Sequence, residues 1–192
     1  SGLNLIGFLI VIKWILKNFQ LNTKKRWLKL KSFEIEVFEI KGPAKEAYWN
    51  IFSKHHYLNT KLNKAARCWI AEMNGQLVGF NSVLALPSGN LKNAWREHRL
   101  VVLADFQGMG IGTSLSECIG EILRKEGKRF YSKTVNSKLG DYRNQSSKWR
   151  GTSKNGIARP DQFKKKNNYN GIINLNLAMR IAYSHEYIGH QN

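Results

Sequence analysis

Apolar and polar positions alternate from residue 33 onward, and the period of the alternation predicts the first elements of the fold. Residues 33–40 alternate apolar and mostly acidic side chains with a period of two, which is typical of a half-buried strand. Gly42 and Pro43 end this pattern, and residues 44–52 then favour a short helix. The domain therefore begins with a strand followed by a helix.

A hairpin is predicted next, from two apolar segments that flank a strong turn signal. Residues 66–73 and 76–85 each have the composition of a strand. Asn74 and Gly75 lie between them, and this dipeptide favours a two-residue turn with both residues at positive φ. The two segments should therefore pair as antiparallel neighbours.

The second half of the chain continues with alternating strands and helices. A strand over residues 95–103 leads into a glycine-rich turn, and residues 112–126 have apolar side chains at helical spacing. The remaining predictions are a strand at 129–135, partial helix within 137–149, a loop at about 150–170 and one or two strands within 172–187. This order predicts an α/β domain with a mixed central sheet flanked by helices.

Residues 1–31 form an apolar and basic N-terminal segment, and residues 32–192 are predicted to form a single domain. The apolar run of the N-terminal segment is interrupted by Lys13, which leaves it shorter than the ~20 residues of a membrane span. No basic residue precedes the run, so a secretory signal is not indicated. A helix packed on the domain, a helix on a membrane surface and a homodimer contact all remain open for it.

Charge adds a class of partner to this picture. The chain has 31 Lys and Arg against 13 Asp and Glu, a formal net charge of +18, and such a charge attracts polyanions. Cations interleave with aromatic rings after residue 142, a composition suited to phosphate contacts and base stacking. A solvated basic surface is the alternative. The predicted nucleic-acid contacts are Arg143, Lys148, Trp149, Arg150 and Lys154.

Cysteine usage predicts a reducing environment. Cys68 and Cys118 lie fifty positions apart in apolar or helical contexts, without the spacing of a zinc site. We expect reduced, packed thiols in a cytoplasmic protein.

The glycine-rich turn carries the clearest chemical signal. Glycines allow a tight turn and let backbone N–H groups approach a ligand, and the positive end of the following helix favours a phosphate. The spacing of Gly108, Gly110 and Gly112 does not fit the dinucleotide fingerprint, and no Gly-Lys-Ser/Thr sequence is present. Thr113 lies where it would cap the helix or contact phosphate.

Gln107-x-x-Gly110-x-Gly112 resembles the coenzyme A signature of the GNAT acyltransferase superfamily, with a strand before it and a helix after it. The resemblance covers residues from about 49 to 149 and implies a mixed, mostly antiparallel central sheet flanked by helices. It implies that the backbone of residues 108–112 binds the pyrophosphate of acetyl-CoA or another acyl-CoA, and that the pantetheine arm pairs with the strand ending at Leu103. The implied cofactor-binding residues are Leu103, Gln107, Gly108, Met109, Gly110, Ile111, Gly112 and Thr113.

The same resemblance implies roles for Asn136 and Tyr142, the second as the acid that protonates the leaving thiolate. The interval between them is one residue shorter than usual in the family, and the usual ending after the tyrosine is absent. A tyrosine packed through its ring is therefore the alternative.

Acyl transfer to an amine also needs a base. Glu97 and Arg99 lie on one face of the strand that leads to the glycine turn, which predicts Glu97 as the base and Arg99 as the residue that orients it. A surface ion pair is the alternative. His55, His56 and Tyr57 form a second polar cluster, which is a candidate for metal binding or for contact with an acceptor base, although the spacing supports a metal only weakly. Solvated loop histidines are the alternative.

A narrower resemblance joins these residues. His56-Tyr57, Arg99 and Asp141-Tyr142 are similar to positions in the phage Mom DNA-modification proteins, which alter adenine in DNA. That resemblance implies His56, Tyr57, Arg99, Asp141 and Tyr142 as active-site residues, with iron as a further cofactor. The functional hypotheses are thus an acyltransferase-type enzyme acting on DNA, an N-acetyltransferase acting on a small amine, a protein lysine or aminoacyl-tRNA, and a DNA-binding module without activity.

Overall fold

The computed structural model describes residues 34–56, 61–158 and 181–190, and these divide into two compact units. The first unit includes residues up to Leu84 and His98–Ile119. The second includes Ala85–Glu97 and the chain from Gly120 onward. The N-terminal segment, Tyr57 and the end of the predicted basic loop lie outside the described residues.

The first unit is built from a hairpin extended on both sides. Its elements are β1 (Ile35–Ile40), α1 (Ala44–Phe52), β2 (Arg67–Met73), β3 (Gln76–Ala85), the later part of β4 (Ala94–Val102) and the start of α2 (Ile111–Lys125). The strands follow the order β1-β2-β3-β4, and both β1–β2 and β2–β3 are antiparallel. Asn74 and Gly75 have φ values of +53° and +74°, which confirms the predicted turn.

Aromatic and aliphatic side chains from β1, α1, β2, β3 and β4 form the core of this unit. Trp49 and Phe52 of α1 stack on Phe80 of β3, with ring centroids 5.2 and 5.6 Å apart. Cys68 is buried beside them in β2, and burial raises the pKa of its thiol to about 12. Cys118 is also buried, and among the described residues neither cysteine is in a disulfide, so the prediction of packed, reduced thiols is confirmed.

The second unit contains the start of β4 and the remaining elements. These are β5 (Arg129–Thr134), α3 (Ser137–Gln145), β6 (Trp149–Gly151), β7 (Ile157–Ala158) and β8 (Ile181–Tyr187). The strand order is β4-β5-β8-β6, with β7 paired to β8. β4 and β5 are parallel, whereas β8 is antiparallel to its three neighbours. The mixed, mostly antiparallel α/β sheet of the sequence analysis is confirmed.

Two predictions about the second unit need correction. Residues 150–170 were expected to be a loop, but β6 extends into the described part of that range and β7 lies within it. Trp149 was expected on the surface, but it is only 5% exposed and packs against Phe130 and Tyr187. Both errors have one cause, since a polar sequence can still pair with a strand that lies far away in the chain.

Candidate functional site

The glycine turn of the first unit lies directly after β4. The amide of Leu103 donates to the carbonyl of Val78 in β3 at 3.0 Å, which fixes the end of the strand. A short 3-10 turn, Ala104–Phe106, follows, and the Gln107 side chain reaches back to donate to the Val102 carbonyl at 3.0 Å. The predicted binding residues therefore run from the end of β4 at Leu103, through the glycine turn, to Thr113 in the first turn of α2.

Two glycines of this turn adopt a conformation that other residues avoid. Gly108 has φ +82° and Gly110 has φ +79°, both in the left-handed region. A Cβ at Gly108 would meet no atom within 4 Å, so glycine is needed there for the backbone conformation. The chain can thus turn sharply between β4 and α2.

Gly112 lies in the first turn of α2, one residue after the observed start at Ile111. A Cβ at Gly112 would come within 3.3 Å of Val102 Cγ2, so its absence lets the helix begin close to β4. Gly79 of β3 has a similar role, since a Cβ there would lie 3.2 Å from Leu115 Cδ2 of the same helix. The helix N-terminus is therefore held against the strands.

The backbone of this turn offers a row of amides. Among the described residues, no hydrogen-bond acceptor faces the amides from Gly108 to Thr113. The first amide of α2 that has an acceptor is that of Ser114, which donates to the Gly110 carbonyl at 3.0 Å. The amides concerned belong to Gly108, Met109, Gly110, Ile111, Gly112 and Thr113. With the positive end of α2 behind them, these amides are able to donate hydrogen bonds to an anion such as a diphosphate.

Thr113 has a different role from the one predicted for its side chain. Its hydroxyl donates to the Gly110 carbonyl at 2.6 Å. Because a hydroxyl has one proton to donate, this group stabilises the turn and is not available as a donor to phosphate. The backbone amide of Thr113 remains available.

His56 and Arg99, which were predicted as site residues, lie near each other in the first unit. The His56 ring packs edge-on against Trp49, with centroids 5.7 Å apart. Its pKa is lowered by burial and then by the positive charge of Arg99. Arg99 in turn donates to the His98 carbonyl at 3.0 Å. His56 is therefore a neutral imidazole at neutral pH, in a form that can accept a proton.

Glu97 has partners that the sequence analysis did not assign to it. In the second unit its Oε2 accepts hydrogen bonds from Ser132 Oγ at 2.5 Å and from Arg143 at 3.2 Å. Arg143 also donates to Ser132 Oγ at 2.5 Å and stacks on Trp149, with its guanidinium carbon 4.3 Å from the ring centre. A carboxylate held in this way favours a structural role over that of a base.

The predicted nucleic-acid residues separate into two groups. Arg143 is 1% exposed and Trp149 is 5% exposed, so the expectation that they contact nucleic acid is wrong. Arg143 is buried because it neutralises Glu97, and Trp149 because it belongs to the aromatic core. Arg150 and Lys154 are exposed, and Lys148 is half-buried.

The remaining predicted residues lie on or near α3. Asp141 and Tyr142 are exposed on this helix. Asn136 caps the helix, since its Oδ1 accepts from the Leu139 amide at 3.1 Å. Among the described residues, no group of three or more His, Cys, Asp or Glu could hold a metal ion, so the expected iron finds no ligand set there. Within the same ranges, none of the helices is long and apolar enough to cross a membrane.

A model of a known protein family matches more than half of the chain. The model of the acetyltransferase (GNAT) family matches residues 34–140, which include the glycine turn and the helix after it. No curated protein sequence matches the chain at a significant level.

Several solved structures share the fold. The IAA acetyltransferase from Bacillus cereus ATCC 14579 has a TM-score of 0.52 and 17% identity, and the match covers 80% of this chain and 99% of that one. An acetyltransferase from Bacillus subtilis in complex with CoA has a TM-score of 0.53 and 16% identity, over 83% and 100% of the two chains. N-acetylglutamate synthase from Neisseria gonorrhoeae, complexed with coenzyme A and N-acetyl-glutamate, has a TM-score of 0.53 and 16% identity, over 84% and 36%.

Proposed function

Because the chain belongs to the acetyltransferase (GNAT) family and is therefore an acyltransferase enzyme, we propose that its glycine turn binds the diphosphate of acetyl-CoA or another acyl-CoA. The observation that carries this proposal is the row of amides from Gly108 to Thr113 at the N-terminus of α2. Coenzyme A is also the ligand named for the Bacillus subtilis structure of the same fold.

The pantetheine arm would run along the later part of β4. β4 pairs with β5 at Ala94, Trp95 and Arg96, the first three of its nine residues. The strand then continues to Val102 and to the fixed amide of Leu103. We infer that this stretch aligns the arm and directs the thioester towards the amine acceptor.

His56 is the base that this geometry favours. When bound, the thioester supplies an acyl carbon to which the acceptor amine adds, with loss of the C–S bond and of one N–H proton. A neutral His56 would take that proton, since burial and, to a smaller extent, the charge of Arg99 lower its pKa. Glu97 already accepts two hydrogen bonds, which makes it the weaker candidate. Tyr142 stays a proposed acid for the leaving thiolate, and Asp141 a proposed active-site residue.

The assignment of His56 can be tested by the pH profile of kcat/KM. If His56 is the base, its low pKa keeps activity high below pH 6.5, and Arg99→Gln should move the acid limb to higher pH because a positive charge is removed. His56→Gln should lower kcat and remove that limb. An unchanged acid limb in both variants would exclude His56 as the base.

The acceptor we propose is an amine of a nucleic-acid base, and adenine in DNA first. A net charge of +18 exceeds what one acyl-CoA would require and suits a polyanionic substrate. The narrower resemblance to phage Mom DNA-modification proteins points to adenine. A base in duplex DNA would have to leave the stack to reach an acyl group.

Acyl-CoA binding can be tested with two glycine variants at opposite ends of one helix. Gly108→Ala and Gly127→Ala each place a Cβ at positive φ, +82° and +70°, where neither would meet an atom within 4 Å. Both should therefore destabilise the fold by a similar amount, about 1 kcal/mol. Only Gly108→Ala should weaken acetyl-CoA binding, by about tenfold in calorimetry. Equal affinities for the two variants would contradict the proposed site.

The acceptor requires a separate assay. Purified protein is incubated with acetyl-CoA and, in parallel, with DNA, a lysine peptide, a polyamine and aminoacyl-tRNA, and the products are measured by mass spectrometry. A mass shift of adenine nucleosides would support the proposal. Unchanged nucleosides together with an acetylated peptide, polyamine or aminoacyl group would replace it with that acceptor.

A further inference from the structure

One row of side chains crosses four strands of the second unit. Arg96 of β4 pairs with Tyr131 of β5, Tyr131 pairs with Glu186 of β8, and Glu186 pairs with Arg150 of β6. Directly paired residues point to the same face of a sheet. These four side chains therefore lie side by side on one face.

Two further cations lie on this face. Arg129 and Lys133 are two residues before and after Tyr131 in β5, and alternate residues of a strand share a face. All four cations are exposed. We call this surface the basic sheet face, and its members are Arg96, Arg129, Tyr131, Lys133, Arg150 and Glu186.

The helices of this unit pack on the opposite face. A Cβ added at Gly120 of α2 would lie 2.6 Å from the Tyr187 ring, and one at Gly140 of α3 would lie 2.1 Å from the Tyr183 ring. Both tyrosines occupy odd-numbered positions of β8, whereas Glu186 is even-numbered and points the other way. The basic sheet face is thus the side away from these helices.

Glu186 organises the cations without neutralising them. Its two oxygens accept from Arg129 Nε and Arg150, each at 2.7 Å. The side chains of these arginines remain 43% and 63% exposed. A guanidinium has five N–H donors, so each arginine keeps donors for an outside anion. Four positive charges against one negative charge leave the face strongly basic.

The shape of the face suits a run of phosphates. Across the strands, Arg96 and Arg150 are separated by three intervals of about 4.8 Å, so the face is about 14 Å wide. Along β5, Arg129 and Lys133 are separated by four rises of about 3.3 Å, which is about 13 Å. The six members include no aliphatic side chain that could insert into a lipid layer. Phosphate contacts of this kind position a protein on DNA without reading sequence.

We propose that the basic sheet face binds the phosphate backbone of duplex DNA and holds the substrate while a base is modified. The second part rests on the proposed DNA acceptor, whereas the binding surface can be tested alone. Each cation that contacts a phosphate releases counterions, so its removal should reduce the salt dependence of binding as well as the affinity.

The test measures binding of a labelled 20-base-pair duplex by fluorescence anisotropy over a series of KCl concentrations, without acetyl-CoA. The sheet-face variant is Arg96→Gln/Lys133→Gln/Arg150→Gln, in which glutamine at 150 retains a donor for Glu186. The control is Lys41→Gln/Lys64→Gln/Lys92→Gln, which removes the same charge from exposed lysines elsewhere. Thermal unfolding establishes that both variants are folded.

We expect the sheet-face variant to lose at least tenfold in affinity and the slope of log K against log salt to fall by about 3 in magnitude. The control should lose less than threefold and keep the wild-type slope. Equal changes in the two variants, or wild-type binding by the sheet-face variant, would overturn the proposal. Binding to phosphatidylserine vesicles is measured for the same variants. The proposal would also be overturned if the sheet-face variant lost binding to these vesicles but bound DNA as the wild type does.

The same variants separate this proposal from the acyltransferase site. Calorimetry with acetyl-CoA should give wild-type affinities for both, since neither alters the glycine turn. If the wild-type protein does not bind acetyl-CoA, the proposed function fails while the DNA measurement still decides the role of the basic sheet face.

Discussion

In the first unit the candidate site is a row of backbone amides on a glycine turn, whereas in the second unit the buried carboxylate of Glu97 is held by the side chains of Ser132 and Arg143. The first arrangement uses backbone N–H groups, and it requires glycines because they have no side chain. The second depends on three particular side chains, of which Ser132 and Arg143 lie 35 and 46 positions from Glu97 in the sequence. The two units should therefore respond differently to substitution.

The largest loss of stability should come from Arg143, because its removal would take a paired positive charge away from the buried carboxylate of Glu97. Arg143→Ala is expected to lower the free energy of unfolding by about 3–5 kcal/mol. The double variant Glu97→Met/Arg143→Met should recover most of that loss, since it removes both charges. Urea unfolding measures each value, and a double variant as unstable as Arg143→Ala would refute the ion-pair explanation.

A smaller effect is expected where a helix approaches a strand through glycine. A Cβ at Gly140 would lie 2.1 Å from the Tyr183 ring, but one at Gly79 would lie 3.2 Å from the end of a leucine side chain. Gly140→Ala should thus cost about 1–3 kcal/mol, despite the better helix propensity of alanine. Gly79→Ala should cost less, because Leu115 can move slightly. Comparing their melting temperatures would detect a reversed order.

The second unit should also lose stability in mild acid. Burial and then the charge of Arg143 lower the pKa of His185 below 6.5 in the folded protein. Below that pH the unfolded chain binds the proton and the folded chain does not, so stability falls as pH falls, by at most about 1.4 kcal/mol per pH unit. Unfolding at pH 7.5 and 5.5 should show a steeper decline in wild type than in His185→Gln. Parallel declines would exclude His185 as the cause.

The smallest effect is expected at Gln107, the exposed side chain that ties the glycine turn to Val102. Gln107→Ala removes one hydrogen bond and should lower unfolding stability by about 0.5–1 kcal/mol. Acetyl-CoA affinity, measured by calorimetry, should fall only a fewfold because the amides remain. A loss as large as that of Gly108→Ala would mean that the side chain itself contacts the ligand.

Predictions from the sequence were correct where they rested on a pattern of neighbouring residues. The Asn74-Gly75 turn and the packed cysteines all follow from neighbouring residues, and the structure agrees with them. The site residues were harder to predict. The sequence analysis assigned Arg99, two positions away, as the residue that orients Glu97. The structure gives it Arg143 as a partner, on a helix that no local pattern connects with β4. A lone arginine on a polar helix offers no signal of burial.

What the sequence determined by itself is the glycine turn between a strand and a helix, since positive φ and bare N–H groups are properties of a few adjacent residues. What only the tertiary structure decided is which charged side chains are buried and which are displayed. Arg143 and Arg150 look alike in the sequence, yet one neutralises Glu97 inside the unit and the other joins a row across four strands. The reason is physical: burial and strand pairing depend on residues distant in the chain, and only folding brings these together.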